Sequence, residues 1–160
     1  MNVRVGIVMG SANDKPTMQH AADALTELGV GSEMKVLSAH RTPDALRGWV
    51  SGLEGRGVRV VIAGAGLAAH LAGAIAGHTT MPVIGVPLAG SSSIAGGLDA
   101  LLSTVQMPRG IPVATVAVGE GGAANAGILA AQILATGDEE LRERVKAHRK
   151  AMAAKVLASS

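Results

Sequence analysis

One short polar segment, residues 38–44 (SAHRTPD), carries the side chains best suited to catalysis. Imidazole exchanges protons near neutral pH, so His40 could act as a general acid or base. The planar guanidinium of Arg41 could hold a phosphate through paired hydrogen bonds. Thr42 and Pro43 are typical of a helix N-cap and a first helical position, which places both side chains in the loop before a helix. Surface residues beside a helix cap are the alternative interpretation.

Two further segments combine small residues with polar side chains. Residues 10–14 (GSAND) offer a glycine for close backbone approach and the free N–H groups of a helix start, which favour a phosphate or carboxylate. Ser11 and Asp14 fit a plain helix cap equally well. Residues 64–73 (GAGLAAHLAG) would let a flat ligand approach the backbone, and His70 could face that ligand or be an ordinary buried histidine.

Other polar segments carry weaker signals. The serines at residues 91–93 could bind a ribose or phosphate, although a mobile loop is the favoured interpretation. His20, His78 and His148 are interpreted as surface or packing residues on helices. No spacing of His and carboxylate residues predicts a metal site. The lack of cysteine excludes disulfides, thiolate metal sites and cysteine nucleophiles.

The chain length predicts a single domain over residues 1–160, because compact domains most often have about 100 to 150 residues. Residues 1–9 (MNVRVGIVM) are typical of a strand with scattered charges and not of a signal peptide or membrane span, so we expect a cytoplasmic protein. The net charge of +2 argues against a nucleic-acid partner. A hydrophobic fraction of 48% against 16% charged residues indicates apolar surface buried between subunits.

Five β-α units are expected to position the polar segments. Short apolar runs rich in Val and Ile predict buried parallel strands. These runs are residues 3–9, 34–37, 58–63, 82–87 and 112–118. Right-handed crossovers then give an α/β fold, a three-layer flavodoxin-like sandwich with a five-stranded parallel sheet. Because ligands bind at the carboxyl ends of the strands in such sheets, the polar segments are expected at one edge.

A charged C-terminal helix is predicted over residues 138–158, after the Thr136-Gly137 break. Leu141, Val145 and Met152 lie on one side of it, which would suit packing on a neighbouring subunit. A solvated terminal helix on its own domain is an equally good interpretation of the pattern.

Four segments, in order along the chain, resemble the PurE family of N5-carboxyaminoimidazole ribonucleotide mutases, within a resemblance that covers residues 3–134. They are Met9-Gly10-Ser11 with Asp14, SAHRTPD at 38–44, AGAGLAAHL at 63–71 and VQMPRGIP at 105–112. Arg41 and the last segment favour the mutase branch over the related branch that carboxylates aminoimidazole ribonucleotide directly with CO2. The chain departs from the family pattern at Asn13, where Ser is usual, and at Leu67 and Ala72, where Gly and Pro are common.

The resemblance implies an isomerase of de novo purine (IMP) biosynthesis that uses no metal or organic cofactor. It would convert N5-carboxyaminoimidazole ribonucleotide into 4-carboxyaminoimidazole ribonucleotide by decarboxylation and recapture of CO2 at the ring carbon. His40 is implied as general acid and base, Asp14 as the partner of ribose hydroxyls, and Ser11 and Arg41 as phosphate neighbours. The other implied substrate-binding residues are Gly10, Asn13, Ser38, Ala39, Gly64, Gly66, Leu67, Ala68, His70 and Leu71. The implied partners are the ribonucleotide and further copies of the chain in a homo-octamer, with no nucleic acid and no membrane.

A non-catalytic, nucleotide-binding module of the flavodoxin type is the competing interpretation. A flavin site would need aromatic side chains for stacking. Trp49 is the only aromatic residue in the chain, and it lies within a predicted helix. A response regulator is also disfavoured, because Gly64-Ala65-Gly66 stands where that class has its phosphoacceptor aspartate.

Overall fold

The chain folds around a parallel β-sheet, in a computed structural model that describes residues 2–159. The strands are β1 (Val3–Met9), β2 (Gly31–Val36), β3 (Val60–Gly66), β4 (Val83–Leu88) and β5 (Ala114–Thr115). Their order across the sheet is β2-β1-β3-β4-β5, and every neighbouring pair is parallel. This topology confirms the predicted flavodoxin-like sheet.

Helices cover both faces of the sheet, as right-handed crossovers require. They are α1 (Lys15–Glu27), α2 (Pro43–Ser51), α3 (Leu71–Ala76), α4 (Leu98–Val105), α5 (Glu120–Ala135) and α6 (Glu139–Ala158). α1 and α5 pack against one face, and α2 and α3 pack against the other. The structure therefore has the three layers that the sequence predicts.

The alternation of side chains along β1 separates two hydrophobic clusters. Ile7 joins the cluster beneath α1 and α5, whereas the next residue, Val8, joins the cluster beneath α2 and α3. Both side chains are fully buried. Because both faces of the central strands are covered, backbone and side chains can meet a ligand only at the ends of the strands.

β5 is shorter than the predicted run of residues 112–118. Only Ala114–Thr115 pairs with β4 as a ladder. Pro112 has no amide hydrogen to donate, which removes one ladder hydrogen bond at the edge of the sheet. The chain then stays beside β4 through two backbone hydrogen bonds, from the Val116 amide to the Gly85 carbonyl oxygen at 3.1 Å and from the Gly119 amide to the Pro87 carbonyl oxygen at 2.9 Å.

The C-terminal helix α6 is anchored at its start and exposed at its end. Asp138 is its N-cap; the carboxylate accepts a hydrogen bond from the Leu141 amide at 3.0 Å and pairs with Arg4 at 2.6 Å. These contacts, the Leu141 amide foremost, lower the pKa of Asp138. Leu141 is fully buried, whereas Met152 and Leu157 are 52% and 76% exposed. Within residues 2–159, no helix is both long and apolar enough to cross a membrane.

Candidate active site

A cavity of about 590 Å³ opens at the carboxyl ends of β1, β2, β3 and β4. It brings together all the predicted site residues except Gly64. They are Gly10, Ser11, Asn13 and Asp14 after β1, Ser38, Ala39, His40 and Arg41 after β2, and Gly66, Leu67, Ala68, His70 and Leu71 at the end of β3 and beyond it. The cavity thus lies where ligands bind in open α/β sheets.

Gly64 lies inside β3, beneath the cavity. Its carbonyl oxygen accepts a hydrogen bond from the Gly10 amide at 3.3 Å. A Cβ atom at this position would collide with the buried Met18 side chain. Gly64 therefore supports the floor of the site through packing and one backbone contact.

The turn that carries His40 is held by its own hydrogen bonds. The Ser38 amide donates to Thr42 Oγ1 at 2.9 Å, and the Thr42 amide donates to the Ser38 carbonyl oxygen at 3.0 Å. Ser38 Oγ accepts a further hydrogen bond from the Arg41 amide at 3.1 Å. These contacts restrain the backbone on both sides of His40. Thr42 is the N-cap of α2 as predicted, but its hydroxyl bonds to Ser38 instead of capping the helix.

Arg41 connects the loops after β1 and β2. Its Nη2 atom donates to the Gly10 carbonyl oxygen at 2.6 Å, and its Nε atom lies 3.4 Å from Ser38 Oγ. The side chain is exposed at the cavity and keeps further N–H donors, because a guanidinium carries five. It can therefore bind an anion while it holds the two loops together.

Ser11 and Asp14 combine the two roles that the sequence left open, since they line the cavity and also belong to a helix start. Ser11 caps the short 3-10 helix Ala12–Asp14, because its Oγ accepts a hydrogen bond from the Asn13 amide at 3.2 Å. Burial raises the pKa of Asp14, and a backbone hydrogen bond from Ser11 and the charge of Arg41 oppose that rise. The site thus holds a partly desolvated carboxylate beside a guanidinium.

The two histidines of the cavity contact each other. Nε2 of His40 lies 2.9 Å from Nδ1 of His70, and the ring planes are nearly perpendicular at 87°. They come from the loops after β2 and β3, the two strands that flank β1. Among residues 2–159, no three His, Asp or Glu side chains come close enough together to hold a metal ion.

Leu67 adopts an unusual backbone conformation at the rim of the cavity. Its φ angle is +56°, in the left-handed region that favours glycine, and the residue is 51% exposed. The Cβ atom of an L-amino acid crowds the backbone there, at a cost of about 1–2 kcal/mol. The resemblance to a family with glycine at this position fits that conformation.

Leu67→Gly is expected to raise the free energy of unfolding by about 1 kcal/mol, because glycine adopts this φ angle without crowding. Leu102 is a matched control, since it is also 51% exposed but lies within α4. Leu102→Gly should lower the free energy of unfolding by about 1 kcal/mol. Urea denaturation of both variants measures the difference. Equal losses in the two variants would show that the conformation of Leu67 carries no strain.

The loop after β4 contributes residues for which the sequence favoured a mobile loop over a ribose or phosphate site. Residues 88–93, including all three serines, line the cavity. Ser93 also holds the loop in shape, because its Oγ accepts a hydrogen bond from the Gly90 amide at 2.8 Å. The feature of the sequence that could have identified them as site residues was their position directly after a predicted strand. The VQMPRGIP segment, residues 105–112, does not line this cavity.

Comparison with known proteins assigns the family. A family model described as AIR carboxylase matches residues 4–155. N5-carboxyaminoimidazole ribonucleotide mutase from Vibrio parahaemolyticus is 55% identical over 157 residues, which cover 98% of this chain and 96% of that protein. The mutase from Bacillus subtilis is 52% identical over 160 residues, covering 100% and 98% respectively. The crystal structure of Treponema denticola PurE has a TM-score of 0.86 at 29% identity and covers 96% of this chain and 94% of that one. The resemblance seen in the sequence is confirmed, and the chain belongs to the AIR carboxylase family.

Proposed function

We propose that this chain is an N5-carboxyaminoimidazole ribonucleotide mutase of purine biosynthesis, which forms 4-carboxyaminoimidazole ribonucleotide. The observation that carries the proposal is identity above 50%, over nearly the whole chain, with relatives named for this activity. The reaction moves a carboxyl group from the exocyclic nitrogen, N5, to ring carbon C4. CO2 leaves the nitrogen and is recaptured by the carbon, so the protein must transfer protons and retain CO2.

His40 is the proposed general acid and base. It would donate a proton to N5 as the carbamate loses CO2, and remove a proton from C4 after the new carbon–carbon bond forms. One group can serve both steps because the second step restores the proton spent in the first. The restrained turn of residues 38–42 supports this role, since it holds the imidazole at the cavity.

The remaining polar side chains suit a ribonucleotide. The guanidinium of Arg41 can bind the phosphate bidentately, with Ser11 beside it, and the Asp14 carboxylate can accept hydrogen bonds from ribose hydroxyls. A volume of about 590 Å³ is in the usual range for small-molecule sites. The small residues Ala39 and Ala68 leave room for the base and line a space that could retain CO2.

Direct carboxylation of aminoimidazole ribonucleotide is the second candidate, because the family model that matches is described as AIR carboxylase. The two activities differ in their need for free CO2. Purified protein should interconvert the two carboxylated isomers without added bicarbonate. Product formation only from the uncarboxylated ribonucleotide and CO2 would reject the mutase assignment and establish the carboxylase.

We further propose that the protein works in the cytoplasm as a homo-oligomer, an octamer, with part of the 138–158 helix against a neighbouring copy. Apolar side chains exposed on α4 and α6 support the assembly; Leu98, Leu102 and Met152 are 45%, 51% and 52% exposed. Leu98 and Leu102 lie one helical turn apart on α4, and clustered exposed apolar side chains are typical of a protein–protein interface. Light scattering that gives the mass of a single 15.9 kDa chain would reject the assembly.

A further inference from the structure

The contact between the two histidines leaves a defined nitrogen on each ring. His40 uses Nε2 and His70 uses Nδ1, so Nδ1 of His40 and Nε2 of His70 face other partners or solvent. No hydrogen bond from another described residue reaches either of these two atoms. A neutral imidazole donates through one nitrogen and accepts through the other. The direction of the contact therefore determines which nitrogen of His40 carries the ring proton.

We infer that His70 is the positioning residue for His40: its Nδ1 atom orients the His40 ring and selects its tautomer, which leaves His40 Nδ1 to exchange the proton with the substrate. The inference rests on the proposed function. This role differs from direct binding of the substrate by His70, because Nδ1 of His70 contacts His40 and not the ligand.

Hydrogen bonds restrain the backbones of both His40 and His70, so that the two side chains can form a stable contact. His70 stands at the N-cap of α3, where its carbonyl oxygen accepts from the Ala74 amide at 2.9 Å and its amide donates to the Ala68 carbonyl oxygen at 2.8 Å. Its side chain caps nothing in the helix, so the ring is available to His40. The backbone of His40 is restrained by the turn of residues 38–42.

The contact between the two imidazole rings fixes the orientation of each ring. Both residues are exposed in the described chain, and an exposed ring samples several rotamers. Among the described residues, each ring makes one hydrogen bond, the 2.9 Å contact with the other ring. A catalytic base that leaves its productive orientation loses much of its effect, because a displacement of about 1 Å can cost about 100-fold in rate. The contact therefore supplies the orientation that packing does not.

Two substitutions at the same position separate the roles of the two nitrogens. His70→Asn places an amide near the former Nδ1 atom, and His70→Gln places one near the former Nε2 atom. We expect His70→Asn to keep most of the turnover number, and His70→Gln to lower it by about 10- to 100-fold with little change in KM. His78→Gln is the matched control, because His78 is exposed and does not line the cavity. It should behave like the wild type.

Loss of turnover in His70→Asn with retention in His70→Gln would overturn the inference and show that His70 acts through Nε2 on the substrate. Wild-type turnover in both variants, or a rise in KM alone, would overturn it as well. The ¹⁵N NMR signals of the His40 ring, recorded without substrate, supply a second readout. They should change in His70→Gln and stay near wild type in His70→Asn. If the wild type fails to interconvert the isomers, the proposed function is rejected, while the NMR signals still decide the positioning.

Discussion

His40→Asn is expected to lower the turnover number by about 100- to 10,000-fold, the usual contribution of a general acid-base group. The amide keeps a polar side chain at the cavity but cannot exchange protons. Because His40 is exposed on a turn held by backbone and serine contacts, the melting temperature should stay near that of the wild type. Steady-state kinetics and thermal melts measure the two effects.

A second variant separates proton exchange from ring contact. His40→Gln brings an amide close to the former Nε2 atom and can keep the contact with His70, yet it also cannot titrate. Both variants should therefore lose turnover to a similar degree with KM little changed. An enzyme with His40→Asn that turns over at nearly the normal rate, or that is inactive only because it unfolds, would remove the proposed proton transfer from this residue.

Arg41→Met is expected to raise KM by about 10- to 100-fold, because a hydrogen bond to a charged group contributes about 1.5–3 kcal/mol. Arg41→Lys should fall between this variant and the wild type. The ammonium keeps the charge but cannot bond to the phosphate bidentately while it also reaches the Gly10 carbonyl oxygen. Substrate titrations of both variants give the KM values.

Arg47 provides the matched control for this experiment. It is exposed on α2, six positions along the chain from Arg41, and it does not line the cavity. Arg47→Met removes the same charge from the same part of the surface, so its KM should equal that of the wild type. An equal rise in KM for both variants would assign the effect to long-range charge and not to a phosphate contact at Arg41.

The strands show which boundaries the sequence can predict. The run at residues 3–9 coincides with β1, because both faces of the strand are covered and residues 5–9 are all buried. β2 begins at Gly31, before the predicted residue 34, since the edge strand is half exposed and contains Glu33 and Lys35. β3 continues to Gly66. The last residues of this strand pair with β4, but their side chains are too small to extend the apolar run from which the strand was predicted.

The sequence predicted most of the residues that line the cavity, but not residues 88–90 and not the contacts among the side chains. Strand order places the loops with His40 and His70 at the same edge of the sheet, on either side of β1. The 2.9 Å contact depends on side-chain torsions that no spacing encodes. The left-handed conformation of Leu67 could not be predicted from the sequence either, because a leucine gives no local signal for it.

The pairing of Arg4 with Asp138 joins residues that are 134 positions apart in the chain. β1 and α1 are made early in translation, but the cover of their apolar face comes from α5 and from Leu141 at the start of α6. On the ribosome, that face therefore stays uncovered until α5 has emerged, and incompletely covered until the segment around Asp138 has followed. Contacts between such distant residues also make folding slow, because a long loop must close before they form. The chain thus depends on its final helix to complete the layer that its first strand begins.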